Sequence, residues 1–146
     1  MEQVLEKELS RENSAILNVD EEFFLQRDAD VVLQIERVLN WLQQNQIVVP
    51  QPDEIRDYLL NYPDIIDVIS LFCKKVRECF AISAQLSLEL YRDPEIEYVY
   101  LTLYIRQQNF DADILDKIDK ISAELDKVIA GKSGWLIITT DLCPPR

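Results

Sequence analysis

The chain has 146 residues, of which 48% are hydrophobic and 9% aromatic, and this size and composition are typical of one globular domain with its own core. It contains no histidine and only two glycines, Gly131 and Gly134, which excludes catalytic sites built on an imidazole and phosphate-binding loops rich in glycine. Asp and Glu outnumber Lys and Arg by 27 to 15, and the net charge of −12 disfavours binding to nucleic acids or to anionic membrane surfaces.

Residues 1–29 are predicted to form an acidic N-terminal arm. Nine acidic and three basic side chains lie in residues 1–30, which gives this segment a net charge of −6, half of the total. Within it, Phe23 and Phe24 form an apolar cluster with Leu25, typical of an anchor that docks on a domain, and both phenylalanines are candidate interaction residues. The first residues lack the pattern of a signal peptide, and no apolar stretch approaches the length of about 20 residues that spans a bilayer, so we expect a cytoplasmic protein.

Three helices are predicted to open a single domain over residues 30–146. Apolar residues recur at the one-face spacing of an amphipathic helix from Asp30 onward, again over residues 53–62, and again over residues 64–80. Prolines separate these segments. Between the first two helices, the β-branched residues at positions 47–49 predict a short extended segment that could add an edge strand.

The apolar pattern then changes to a period of two, which predicts strands with two unlike faces. The apolar positions are Leu86, Leu88 and Leu90 in the first strand, and Val99, Leu101, Leu103 and Ile105 in the second. Asp93-Pro94 supplies turn chemistry between them, so the two strands are predicted to form an antiparallel hairpin.

A long helix over residues 111–130, ended by Gly131, and a last apolar strand over residues 135–140 complete the prediction. The predicted fold class is α+β, with three N-terminal helices followed by a β-β-α-β unit. Its mostly antiparallel sheet has three strands, or four with residues 47–49, and helices cover one face. The last strand is expected to run parallel to the second, and it could pair beside either the first or the second strand.

Tyrosines occupy the other side of the predicted hairpin. Tyr98, Tyr100 and Tyr104 lie on one side of the second strand, and Tyr91 has the same exposure on the first if the aliphatic sides align. Aromatic sheet faces can stack nucleic-acid bases, but this one lacks basic neighbours. Because tyrosine is also enriched at protein interfaces, the face is predicted to bind a protein, either a basic partner or a second copy in a homodimer. The alternative is that the N-terminal residues cover it within one subunit.

Carboxylates near the predicted sheet indicate a different function, a divalent-metal-dependent enzyme of phosphate chemistry such as a nuclease or nucleotidyltransferase. They are Glu89, Asp93, Glu95, Glu97 and Asp141. Glu89 and Asp141 are the candidate ligands, provided that the last strand lies beside the first.

The three cysteines lack the spacing of a disulfide or zinc site, and no cofactor is expected. A non-catalytic interaction or regulatory protein is therefore the preferred interpretation, and no motif connects the chain to a known family.

Overall fold

The computed structural model describes the backbone of residues 14–146 except residue 96, and the burial of side chains from residue 29 onward with the same exception. The chain divides between Gln34 and Ile35 into two compact units. Helix α1, Ser14–Gln44, begins well before Asp30, where the apolar periodicity predicted its start. No proline or glycine occurs in residues 14–44, so no helix breaker precedes Asp30. The predicted arm and domain boundary at residues 29 and 30 stays a prediction.

The remaining elements follow in the predicted order. After α1 come β1 (Ile47–Val48), α2 (Pro52–Asn61), a short 3₁₀ helix (Pro63–Ile65), α3 (Ile66–Cys79), β2 (Gln85–Asp93), β3 (Tyr98–Arg106), α4 (Ile114–Ile129) and β4 (Leu136–Thr139). Pro52 opens α2 and Pro63 opens the 3₁₀ helix, because a first helical residue needs no backbone N–H partner. The α+β class and the β-β-α-β unit are confirmed.

The four strands form one mixed sheet in the order β1-β2-β3-β4. β1 pairs with β2 in parallel, so the predicted fourth edge strand is present. β2 and β3 form the antiparallel hairpin over nine residue pairs. β4 returns parallel to β3, with Leu101 opposite Leu136, and thus lies beside the second strand of the hairpin rather than the first. Among the described strands, only the hairpin pairing is antiparallel and the other two are parallel, so the sheet is mixed rather than mostly antiparallel as predicted. The pairing of β4 with β3 is parallel because α4 carries the chain back to the same end of the sheet before β4 begins.

The aliphatic face of the sheet contributes to the hydrophobic core. Its buried side chains are Leu86 and Leu88 of β2, Leu101, Leu103 and Ile105 of β3, and Leu136 and Ile138 of β4. α2 contacts β2, α4 contacts β4, and α3 packs beside α4, where Lys75 Nζ lies 3.1 Å from Glu124 Oε1. Helices α2 and α4, with α3 beside α4, therefore pack on the aliphatic side, and the tyrosines belong to the opposite face.

Hydrogen bonds join the segment before β4 to the helices. The carboxylate of Asp64 accepts bonds from Ser133 N at 2.7 Å, Ser133 Oγ at 3.0 Å and Gly134 N at 3.4 Å. Burial alone would raise the pKa of Asp64, but these bonds outweigh it and lower the pKa. Tyr58 Oη accepts a further bond from Trp135 N at 3.0 Å. The start of β4 is thus fixed against the end of α2 and the 3₁₀ helix.

Candidate functional site

The face of the sheet opposite the core carries the four tyrosines Tyr91, Tyr98, Tyr100 and Tyr104, here called the tyrosine face. The register places Tyr91 opposite Tyr100 and Asp93 opposite Tyr98, while Tyr104 lies opposite Ser87. Directly opposed residues share a face, and side chains alternate along each strand, so all four tyrosines lie on one side together with Glu89 and Thr102. The sequence prediction that they share a face is confirmed. That they bind a partner stays a prediction.

Three of these rings form a cluster next to the turn of the hairpin. The Tyr91 and Tyr100 rings are stacked with centroids 5.1 Å apart, and the centroids of Tyr98 and Tyr100 are 5.5 Å apart. Tyr91 is 39% exposed and Tyr98 46% exposed, whereas Tyr100 is half-buried. Burial, followed by the proximity of Tyr91 and of Asp93, raises the pKa of Tyr100 and keeps its hydroxyl protonated. The cluster is an aromatic surface with two accessible rings.

The other end of the tyrosine face holds an ion cluster that the sequence analysis missed. Arg106, the last residue of β3, is only 2% exposed. Its Nη1 lies 3.1 Å from Glu89 Oε2, and its Nη2 lies 2.9 Å from Asp141 Oδ2. Its guanidinium carbon lies 4.7 Å from the ring centroid of Tyr104, a cation–π contact. These four residues are here called the Arg106 cluster. The sequence contained one indication of this contact: Arg106 follows Tyr104 by two residues, so the two side chains lie on the same face of one strand.

Charge compensation within the Arg106 cluster shifts the pKa values of its members. Hydrogen bonding from Arg106 lowers the pKa of Asp141, against a smaller opposing effect of burial. Burial alone would lower the pKa of Arg106, but hydrogen bonds to Asp141 and Glu89 together raise it. Burial and then the two carboxylates raise the pKa of Tyr104. The cluster therefore stays a fully ionised guanidinium with ionised Asp141 beside a neutral phenol at neutral pH.

The C-terminal residues cross the sheet at the level of Arg106. Leu142 has a positive φ of 58°, and Cys143 N donates to Asp141 Oδ1 at 3.0 Å, so the chain turns sharply after Asp141. Gln85 Nε2 then donates to Arg146 O at 2.9 Å, and Arg146 N donates to Gln85 Oε1 at 3.1 Å. Gln85 is opposite Arg106 in the register, and β3 lies between β4 and β2. The tail must therefore pass over β3, which explains the burial of Arg106.

Glu89 and Asp141, the two carboxylates predicted as metal ligands in the alternative function, are both bound to Arg106. β4 lies beside β3, so the condition that the last strand lies beside the first is not met. The guanidinium bonded to both carboxylates offsets one of the two formal negative charges that would attract a divalent cation. Asp93, at the turn, instead accepts a bond from Glu95 N at 2.9 Å. Among the described side chains, residues 29–95 and 97–146, no three potential ligands form a group that could hold a metal ion. The metal-dependent alternative stays an untested prediction.

The remaining candidates fall outside this site or at its margin. Phe23 and Phe24 belong to α1 by their backbone, but their side chains lie outside the described residues. Cys73 is buried and Cys79 exposed, as expected for residues on different sides of one helix, while Cys143 is half-buried in the C-terminal tail.

No family model, no curated protein and no solved structure matches this chain. Within the part of the chain that is described, no helix combines the length and the apolar character needed to cross a membrane. A functional proposal therefore rests on the chain's own residues and their geometry.

Proposed function

We propose that the chain is a small acidic protein that works by binding another protein, or a second copy of itself, through the tyrosine face. It acts as an adaptor, regulator or inhibitor in the cytoplasm rather than as a catalyst. The observation that carries the proposal is the exposed ring cluster of Tyr91, Tyr98 and Tyr100 on the side of the sheet opposite the core.

Tyrosine suits this role because its ring offers a large contact area and its hydroxyl a hydrogen bond, at a low cost in conformational entropy. The backbone beneath the cluster is paired across nine residues of the hairpin, so the rings need little ordering when a partner arrives. The acidic arm adds to this, since six of the twelve net negative charges belong to residues 1–30. A basic protein surface is therefore favoured over an acidic one.

A catalytic role has less support from the same residues. On this face, Glu89 and Asp141 are both ion-paired with Arg106. A general acid or base must instead gain and lose a proton near the working pH. Lowering the pKa of Asp141 and raising that of Tyr104 moves both groups away from neutrality.

Site-specific photocrosslinking tests the proposal in cells of the source organism. The full chain carries p-benzoylphenylalanine in place of Tyr98, and a matched chain carries it in place of Leu115, which is 57% exposed on α4. We expect a discrete adduct from position 98 and none of that mass from position 115. Mass spectrometry of the adduct then identifies a partner protein or a second copy.

Two results would contradict the proposal. One is the absence of any adduct at position 98. The other is an identical set of adducts at both positions, because random collisions do not depend on the face that carries the probe.

A further inference from the structure

We propose that the hairpin end of the tyrosine face, formed by Tyr91, Tyr98 and Tyr100 with the turn carboxylates Asp93, Glu95 and Glu97, docks an arginine side chain from a basic segment of a partner protein. This inference rests on the proposed function and names the class of partner. The site is here called the hairpin site.

One arginine of this chain, Arg106, is already bound by a tyrosine ring and carboxylates. In the Arg106 cluster, a guanidinium lies over the ring of Tyr104 while carboxylates from the neighbouring strand and from the segment after β4 accept its hydrogen bonds. Ser87 Oγ donates to Glu89 Oε2 at 2.8 Å and holds that carboxylate in place. The same sheet face therefore combines a tyrosine ring with carboxylates around a planar cation, a geometry that arginine fits better than lysine.

The hairpin site repeats the aromatic half of this arrangement. Tyr100 lies four residues before Tyr104 on the same side of β3, and its ring packs against Tyr91 and Tyr98. Tyr91 and Tyr98 each leave more than a third of their surface exposed, so a guanidinium has access to a ring face or edge. An arginine at this position gains a cation–π contact such as Tyr104 gives Arg106.

The hairpin site also carries the matching negative charge. Asp93 is opposite Tyr98 in the register, and Glu95 and Glu97 are exposed in the turn that follows. The basic residue nearest the turn, Arg92, lies on the other side of β2, and its Nη2 is 3.4 Å from Glu54 Oε1. Three carboxylates beside an exposed aromatic cluster complement a basic peptide and repel an anionic one, which argues against a nucleic acid as the occupant.

A peptide titration tests the inference directly. The full-length ¹⁵N-labelled chain is titrated with a capped hexapeptide of alternating arginine and glycine, and amide shifts are followed by NMR. We expect shifts concentrated in residues 91–100. The same peptide with citrulline for arginine keeps the planar shape but lacks the charge, and we expect no binding. With lysine for arginine, we expect affinity about threefold weaker, since ammonium groups stack less well on aromatic rings.

Variants with matched controls locate the contact. Glu95→Gln with Glu97→Gln removes two charges from the turn, and we expect about fivefold weaker binding of the arginine peptide. Asp116→Asn with Asp119→Asn removes two charges from the exposed side of α4 and should leave the affinity unchanged. Tyr98→Leu should weaken binding about threefold while Tyr98→Phe, which keeps the ring, should not. All these positions are exposed, so the fold is expected to survive each change.

The outcomes separate this inference from the proposed function. Equal weakening by the turn pair and the α4 pair, or shifts spread over the chain, would mean only general charge attraction and would overturn the hairpin site. If Tyr98 crosslinks to a partner protein while the arginine peptide does not shift residues 91–100, the interaction face stands and the arginine site is wrong. If position 98 crosslinks only to a second copy of the chain, the face is a dimer interface and the inference is also wrong.

Discussion

Arg106 and Asp141 are joined by three hydrogen bonds, from Nε to both carboxylate oxygens at 3.3 and 3.2 Å and from Nη2 to Oδ2 at 2.9 Å. The pair connects the end of β3 to the turn that begins the C-terminal tail. Because a guanidinium has a fixed planar shape, this contact sets the direction in which the tail leaves β4. The ion pair therefore links the local chemistry of the tyrosine face to the path of the last six residues.

Replacing Arg106 should strongly destabilise the fold. Arg106→Leu leaves Glu89 and Asp141 without their shared partner, and we expect the free energy of unfolding to fall by about 3 kcal/mol in urea titrations. Arg92→Leu is the matched control, because its ion pair with Glu54 is exposed and should contribute less than about 1 kcal/mol. Equal losses in the two variants would contradict a buried structural role for Arg106.

The ion pair should also make stability depend on pH. The pKa of Asp141 is lower in the folded chain than its ordinary value, so its ionised form stabilises the fold fully above about pH 5. This contribution disappears as the pH falls through the folded-state pKa, because the protonated acid no longer pairs with Arg106. We expect the difference in unfolding free energy between the wild type and Asp141→Asn to be constant near neutral pH and to shrink in acid.

Urea midpoints measured at a series of pH values check this expectation. Asp116→Asn, on the exposed side of α4, removes the same charge without touching Arg106 and controls for the change in net charge. A wild-type advantage over Asp141→Asn that persisted undiminished at the lowest pH where both chains fold would show that ionisation of Asp141 is not its source.

The sequence was sufficient for elements whose apolar period is long and uninterrupted. α3, α4 and the hairpin follow directly from periods of 3.6 and 2, and the register placed the four tyrosines on one face because the aliphatic residues must share the other. The apolar periods could not predict the order of the strands, since a helix crossover of this length can return β4 beside either β2 or β3. The Arg106 cluster was missed for the same reason, because Asp141 meets Arg106 only when β4 lies beside β3.

A charge placed on the buried side of α4 should unfold the domain. Ile118 is 5% exposed, so Ile118→Asp would bury an unpaired carboxylate. We expect loss of the cooperative thermal transition in circular dichroism, since such a cost approaches the whole stability of a domain. Leu115→Asp, three residues earlier but 57% exposed, should keep that transition. Cooperative melting of Ile118→Asp would contradict the assignment of Ile118 to the core.

The cysteines should differ in reactivity. Cys73 is fully buried, and burial raises the pKa of its thiol to about 12, so neither access nor ionisation favours reaction. Cys79 is exposed and Cys143 half-buried. We expect a disulfide reagent such as Ellman's reagent to modify two thiols in the native chain and all three in denaturant. Rapid modification of a third thiol without denaturant would mean that α3 opens locally.

Substitution of either glycine should destabilise the fold, but for different reasons. Gly134 has no room for a side chain, since a Cβ there would lie 2.9 Å from Ile65 Cδ1 and 2.9 Å from Tyr62 Cβ. Gly131 has open space but a φ of +84°, a conformation that side chains disfavour. Alanine at Gly134 should cost about 1–3 kcal/mol through overpacking, and alanine at Gly131 about 1 kcal/mol through backbone strain.

Asparagine separates the two mechanisms, because it tolerates positive φ better than alanine but is larger. Gly131→Asn should recover part of the stability lost in Gly131→Ala, whereas Gly134→Asn should be less stable than Gly134→Ala. Thermal melts of the four variants measure both differences. If asparagine were no better than alanine at position 131, the end of α4 would not depend on the left-handed conformation, and the glycine would be needed there for another reason.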